Sequence, residues 1–284
     1  MTFLNGHTGA IVLIGGAEDK WDRREVLAET RKLNQARRVA VIPAASGYPV
    51  EVFEEYRAAF LALGANRVDL VDIRRRDETQ LPAHHEAIQA AELIFFTGGD
   101  QERLVRLLGN SSLLAAIRER YARGVTLAGT SAGASALGNP MIFDGNGTKG
   151  FEKRHVAVAE GFGVLDDLVI DTHFMERGRI PRLSQAVAAH PDGLGIGLGE
   201  DTGAVVTPDG RLRIIGNRVV AILGAEEMGF TNVSEAAVNA PVATDGLRLS
   251  FLTRGMVFDV NRRRVVSEEN GGNRFGGRVR RLLA

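Results

Sequence analysis

Gly129-Thr130-Ser131-Ala132-Gly133 sets a hydroxyl between two glycines. Residues 124–128 before it read as a buried strand, and residues 134–137 after it read as the start of a helix. G-x-S-x-G at a strand-to-helix turn is a nucleophile elbow. Such a turn lifts the serine hydroxyl above the sheet, and it needs small neighbours because the backbone folds so closely. It also aims the first helical amides at whatever the serine attacks. Ser131 therefore reads as the nucleophile of covalent acyl transfer.

A serine nucleophile needs a base, and the chain has six histidines. His7 lies at the start, and His84 and His85 lie in what reads as a polar turn. His190 ends a helix before Pro191, an ordinary place for a cation. His155 follows a polar stretch. His173 follows the buried run Leu168-Val169-Ile170 directly and precedes an arginine-rich segment, so it is the base expected here. An acid usually orients such an imidazole. Glu200 and Asp201 follow the strand at residues 195–199, Asp171 lies two residues before His173, and Asp144 and Glu152 lie in the polar stretch. Spacing alone does not choose among them.

Arg177-Gly178-Arg179-Ile180-Pro181-Arg182 carries three guanidiniums in six residues. A solvated helix start is one reading. Because the segment begins four residues after His173, a site for an acidic substrate is the other, since guanidiniums pair bidentately with carboxylates. Gly98-Gly99 follows a strand and reads either as a plain turn or as an amide partner for Ala132 in an oxyanion hole. Gly15-Gly16-Ala17-Glu18-Asp19 lacks both the G-x-G-x-x-G and the Walker lysine patterns, so nucleotide binding carries little weight.

The elements that must position these residues alternate. Strands are expected at residues 10–14, 39–43, 68–71, 93–96 and 124–128. Helices are expected at 21–33, 49–63 and 85–91, with one or two more across 101–120. Apolar runs of four or five residues suit strands buried on both faces, and alternation with helices implies a parallel sheet. Ligands of such sheets bind beyond the carboxyl ends of the strands, so the turns at Gly15-Gly16, Ala44-Ala45-Ser46, Gly98-Gly99 and Ser131 should share one rim. Residues 139–153 read as a glycine-rich loop, and residues 211–223 as a hairpin turning at Gly216-Asn217. An antiparallel pattern continues through residues 247–252 and 255–260, and residues 274–281 read as a basic tail. No repeat and no interdomain linker interrupts the chain, which reads as a single α/β domain over residues 1–284.

Composition narrows the class further. Thirty-five basic residues balance thirty-five acidic ones, which gives no general attraction to nucleic acid or an anionic membrane. With no cysteine, disulfides, thiol nucleophiles and thiolate metal sites are excluded. No secretion signal and no run of roughly 20 apolar residues is visible, so a cytoplasmic protein is the expectation. No metal or organic cofactor is called for by any pattern in the chain.

Four motifs in order, Ile14-Gly15-Gly16-Ala17-Glu18-Asp19-Lys20, Phe96-Thr97-Gly98-Gly99-Asp100-Gln101, Gly129-Thr130-Ser131-Ala132-Gly133-Ala134 and Asp171-Thr172-His173-Phe174 with its arginines, resemble the cyanophycinases. These group with aspartyl dipeptidase among serine peptidases. The resemblance spans nearly the whole chain. It implies a flavodoxin-like, doubly wound, mostly parallel sheet related to class I glutamine amidotransferases, with a C-terminal antiparallel extension. It implies hydrolysis of cyanophycin, a poly-aspartate bearing arginine on its side-chain carboxyls, to β-Asp-Arg dipeptides. It further implies Ser131 as nucleophile, His173 as base, Glu200 as acid, and a homodimer, while the pairing of Gly99 and Ala132 as oxyanion donors rests on the turn reading above. Asp171, Thr172, Arg177, Arg179, Arg182 and Gln101 would shape the substrate site, and Asp171 or Glu18 would meet the substrate's guanidinium. One departure stands out: cyanophycinases have glutamine before the histidine, and here it is Thr172. That leaves as alternatives a related aspartyl dipeptidase or amidase acting on another acidic substrate and, from a different class, a non-catalytic binding protein of the same fold.

Overall fold

In the computed structural model, which describes residues 9–145, 147 and 149–268, the short apolar runs form five parallel strands. They are β1 (Ile11–Ile14), β2 (Arg38–Ile42), β3 (Arg67–Leu70), β4 (Leu93–Phe96) and β5 (Thr126–Thr130), in the order β3-β2-β4-β5-β1. Every residue of β1, β4 and β5 is buried because helices cover both faces. On one face Val12, Ile14, Val41 and Phe95 meet α1 (Glu25–Lys32) and α2 (Pro49–Ala62) through Val26, Leu27, Phe53 and Phe60. On the other, Leu13, Ile94, Phe96 and Leu127 meet α3 (Pro82–Ala90), α4 (Gln101–Leu108), α5 (Ser112–Ala122) and α6 (Ala132–Leu137). Each large aliphatic or phenyl side chain buried this way contributes about 1.5–3 kcal/mol.

The far side of β1 continues antiparallel through Thr202–Val206, Arg211–Gly216, Met256–Asp259 and Arg264–Glu268. A second sheet runs in the order Arg248–Leu252, Val220–Gly224, Leu194–Leu198, Leu168–Asp171, Gly138–Asn139, Leu165–Asp166. Its Leu168, Ile170, Ile196 and Ile222 join the same core as Leu13 and Phe96. Its other face, Val169, Ala221 and Leu223, is covered by Leu183, Ala186 and Val187 of α7 (Ile180–Ala189). The expected α/β class, with a parallel core and an antiparallel extension, is borne out.

Several local expectations change. The helix expected from residue 21 starts at Glu25, because the Asp19 carboxylate accepts from the amides of Trp21, Asp22 and Arg24 and holds that stretch as a turn. The segment 101–120 is two helices, α4 capped by Asp100 and α5 by Ser111. Part of the expected loop at 139–153 is strand: Met141–Gly145 pairs with Val156–Ala159, because Met141 and Ile142 are buried. The chain does turn near Gly216, but its two arms, Arg211–Gly216 and Val220–Gly224, enter different sheets. His84 and His85 lie on α3, with buried His84 facing the Glu78 carbonyl at 2.9 Å. His7 and the basic tail fall outside the described residues.

Candidate active site

The elbow rests on close backbone contact. A Cβ on Gly129 would sit 2.5 Å from the Gly133 carbonyl carbon, and one on Gly133 would sit 2.4 Å from the Phe96 carbonyl oxygen. Ser131 takes φ 51° and ψ −114°, a conformation costing about 1–3 kcal/mol for a non-glycine residue. Two bonds offset that cost: its amide donates to the Ile14 carbonyl at 3.0 Å, and its carbonyl accepts from the Ser135 amide at 3.0 Å.

His173 hangs just past the strand Leu168–Asp171, with φ 46° and its amide donating to the Gly15 carbonyl at 2.8 Å. Its ring lies on Gly16, where a Cβ would meet Cε1 at 2.4 Å. Nε2 is 2.9 Å from Ser131 Oγ, and Nδ1 is 2.7 Å from Glu200 Oε1. Glu200 sits on the short link between Leu194–Leu198 and Thr202–Val206. Behind it, its amide donates to Glu176 Oε2 at 3.3 Å, and Glu176 pairs with Arg218 at 3.0 Å. Only 12% of the His173 side chain and 28% of the Glu200 side chain are exposed, which shields the pair from water. In this line the imidazole can take the serine proton while the carboxylate holds the tautomer.

The other acids are engaged elsewhere. Asp201 turns its carboxylate to the Asp19 amide at 3.0 Å, and Glu152 pairs with His155 at 3.3 Å. Asp144 accepts from the Gly145 amide at 2.7 Å.

The four strand-end turns do share one rim. Gly98 abuts Ser131, with its notional Cβ 3.2 Å from the serine Cβ, and Asp100 donates its amide to the Ala45 carbonyl at 3.0 Å. Among the described residues, the amides of Gly99 and Ala132 donate to no backbone acceptor.

The residues expected to line a substrate site divide. Asp171 is fully buried and accepts from Arg182 Nε at 2.7 Å, from Arg182 Nη2, and from Arg179 Nη1 at 3.3 Å. Arg182 also donates to the Gly145 carbonyl at 2.9 Å, and Thr172 is buried with its carbonyl accepting from Arg179 at 2.6 Å. Gln101 spends its amide donors on the carbonyls of Ile142 and Phe143, at 3.1 and 3.0 Å. Asp171, Thr172 and Arg182 are thus buried braces rather than an open lining, while Gln101 is half-buried with its amide donors committed. Glu18 is likewise closed to a guanidinium, its two oxygens taken by Tyr56 and Thr130. Arg177 is exposed, and Arg179 keeps 15% of its side chain open. Burial lowers the Arg179 guanidinium to about 10; Asp171 opposes the shift, and Arg182 and Arg177 add to it. The Gly15-Gly16 turn was expected on this rim, but not as the platform under the imidazole; the Glu176–Arg218 pair behind Glu200 carried no sequence signal.

An α/β sheet with a serine elbow at a strand end and an imidazole on its hydroxyl defines a serine hydrolase. The profile of peptidase family S51 matches residues 11–215, and the chain belongs to that family as a serine-type peptidase. The cyanophycinase of Trichormus variabilis is 38% identical over 260 residues, covering 90% of this chain and 87% of the relative. The cyanophycinase of Geminocystis herdmanii is 36% identical over 249 residues, covering 87% and 92%. The resemblance carried by the four motifs is borne out. A solved peptidase from an acI-B1 Actinobacterium shares the fold, with a TM-score of 0.67 at 23% identity, over 91% of this chain and 100% of that one. Among the described residues no helix is long and apolar enough to cross a membrane.

Proposed function

We propose that this peptidase hydrolyses cyanophycin to β-Asp-Arg dipeptides through an acyl-enzyme on Ser131. One observation carries the reading: His173 lies 2.9 Å from Ser131 Oγ and 2.7 Å from Glu200, in a chain 38% identical to a cyanophycinase. Ser131 Oγ attacks the scissile carbonyl carbon as its proton passes to His173 Nε2. Glu200 holds the Nδ1 proton and stabilises the imidazolium. The amides of Gly99 and Ala132 receive the developing oxyanion. The imidazolium protonates the leaving amine, and water, deprotonated by His173, then releases the acyl group. Arg177 and Arg179 hold the free carboxylates that the substrate's arginines carry, with Asp171, itself held by Arg182, and the Thr172 carbonyl fixing Arg179 from behind.

The test is release of β-Asp-Arg from purified cyanophycin, followed by mass spectrometry, with Ser131→Ala as control. Folded protein that releases none overturns the polymer reading. Turnover retained by Ser131→Ala overturns Ser131 as nucleophile. A second reading, a related peptidase for small aspartyl peptides, draws on Thr172 standing where cyanophycinases carry glutamine. A panel of α- and β-aspartyl dipeptides separates the two. The proposal extends to one catalytic domain acting as a cytoplasmic homodimer, checked by light scattering of the purified protein and by cell fractionation.

A further inference from the structure

The turn at residues 15–19, which leaves β1, touches the surroundings of all three residues of the proposed catalytic line. Gly15 and Gly16 hold the backbone and ring of His173. The Gly16 carbonyl accepts from the Asp201 amide at 3.0 Å, and Asp201 Oδ1 accepts from the Asp19 amide at 3.0 Å, both beside Glu200. The third link is a side chain, Glu18, which takes no part in the proposed proton transfers.

Glu18 is 4% exposed. Its Oε1 accepts from the Tyr56 hydroxyl at 2.5 Å and its Oε2 from the Thr130 hydroxyl at 2.7 Å. Both donors are buried, and Tyr56 is fixed against Phe95 with ring centroids 4.8 Å apart. Lys20 engages Glu55 at 3.1 Å and lies over the Tyr56 ring. A buried carboxylate is costly unless its oxygens are satisfied, and here two hydroxyls satisfy them. One of those hydroxyls belongs to the residue immediately before Ser131. The orientation of the Thr130–Ser131 peptide sets where Oγ stands, and Ser131 holds a conformation from which an unsupported turn relaxes.

We propose that Glu18 is a positioning residue for the nucleophile, its carboxylate, clamped by Tyr56, holding Thr130 so that Ser131 Oγ meets His173. The inference rests on Ser131 as nucleophile and His173 as base, and not on the identity of the substrate. Its test therefore uses a fluorophosphonate. In that reaction Oγ forms a bond to phosphorus, fluoride leaves, and His173 takes the serine proton. The rate of adduct formation is followed by intact mass, well below the melting temperature of each variant.

Glu18→Gln and Thr130→Val should slow labelling between about ten- and a hundredfold, the range in which small misplacement of a reacting group is felt. Thr130→Ser keeps the hydroxyl and should label at the rate of the unaltered protein. On any turned-over substrate, kcat should fall in the first two variants with KM held. Where Glu18→Gln does not fold, the comparison of Thr130→Val with Thr130→Ser carries the test. Equal labelling rates for those two, or an unslowed Glu18→Gln of lower melting temperature, overturn the proposal and leave Glu18 a strut. An adduct formed at the same rate by Ser131→Ala overturns instead the assignment of the nucleophile.

Discussion

Asp171 and Arg182 are closed on each other inside the protein, the carboxylate fully buried and the guanidinium fork on it at 2.7 Å through Nε. The pair sits two residues before His173 on one side and within α7 on the other, so it ties the strand bearing the base to the helix behind it. Removing Asp171 leaves the Arg182 guanidinium buried with no carboxylate on it, and removing Arg182 leaves buried Asp171 with only the longer Arg179 contact at 3.3 Å. Arg182→Met or Asp171→Leu alone should destabilise the fold by about 3–5 kcal/mol, and the double variant should recover part of that loss. Urea unfolding of the three proteins checks it. Arg182→Lys should behave as a disruptive change, because an ammonium cannot span two carboxylate oxygens and the Gly145 carbonyl together.

Glu200 and Asp201 are neighbours with separate partners, His173 and the Asp19 amide. Glu200→Gln should lower kcat by about three to four orders of magnitude, because an amide no longer fixes the imidazole tautomer or balances its charge. Asp201→Asn keeps a carbonyl oxygen for the Asp19 amide and should leave kcat little changed. Steady-state kinetics on one substrate separates the two acids.

Gly16→Ala places a methyl where the imidazole lies, at a backbone φ of 95°. The ring must move away from Ser131. A displacement of about 1 Å should cost roughly a hundredfold in kcat, with circular dichroism unchanged.

Asp19 gives a pH-dependent contribution of known sign. The amides of Asp22, Arg24 and Trp21 hold its carboxylate and push its pKa far below the usual 3.8. The unfolded chain therefore takes up the proton first as pH falls. The stability it supplies is complete above roughly pH 4 and is lost on further acidification through the folded-state value. Asp19→Asn should be less stable than the unaltered protein at neutral pH, and the gap should narrow steadily as pH falls below about 4. Denaturant midpoints at several pH values measure it, and a gap independent of pH would contradict it.

The parallel core was legible because Leu93-Ile94-Phe95-Phe96 and its counterparts are too short and too continuously apolar for anything but strands buried on both faces. Ser131 and His173 were legible because each sits where a buried run stops. Glu200 was legible only through family resemblance: Asp171, Glu200 and Asp201 all stand at strand ends, and what separates them is the direction each side chain takes after its turn. The burial of Asp171 was hidden because Arg179 and Arg182 look like a surface cluster in a linear reading, and only the packing of α7 closes them over the acid. The division of residues 211–224 between two sheets was hidden for a similar reason. Alternation specifies a half-buried strand but not which neighbour it takes.

The two sheets meet in the proposed catalytic line. Ser131 follows a strand of the first, His173 follows a strand of the second, and Glu200 rides the link that crosses from the second to the first. The distance from Ser131 to His173 is therefore a gauge of how the sheets are docked, while the bond from His173 to Glu200 is fixed close to the crossing itself. Loosening the shared core by a fraction of a side-chain layer should disarm the serine before either sheet unravels. Turnover in this fold should fade ahead of the far-ultraviolet signal on heating, and labelling of Ser131 should follow turnover.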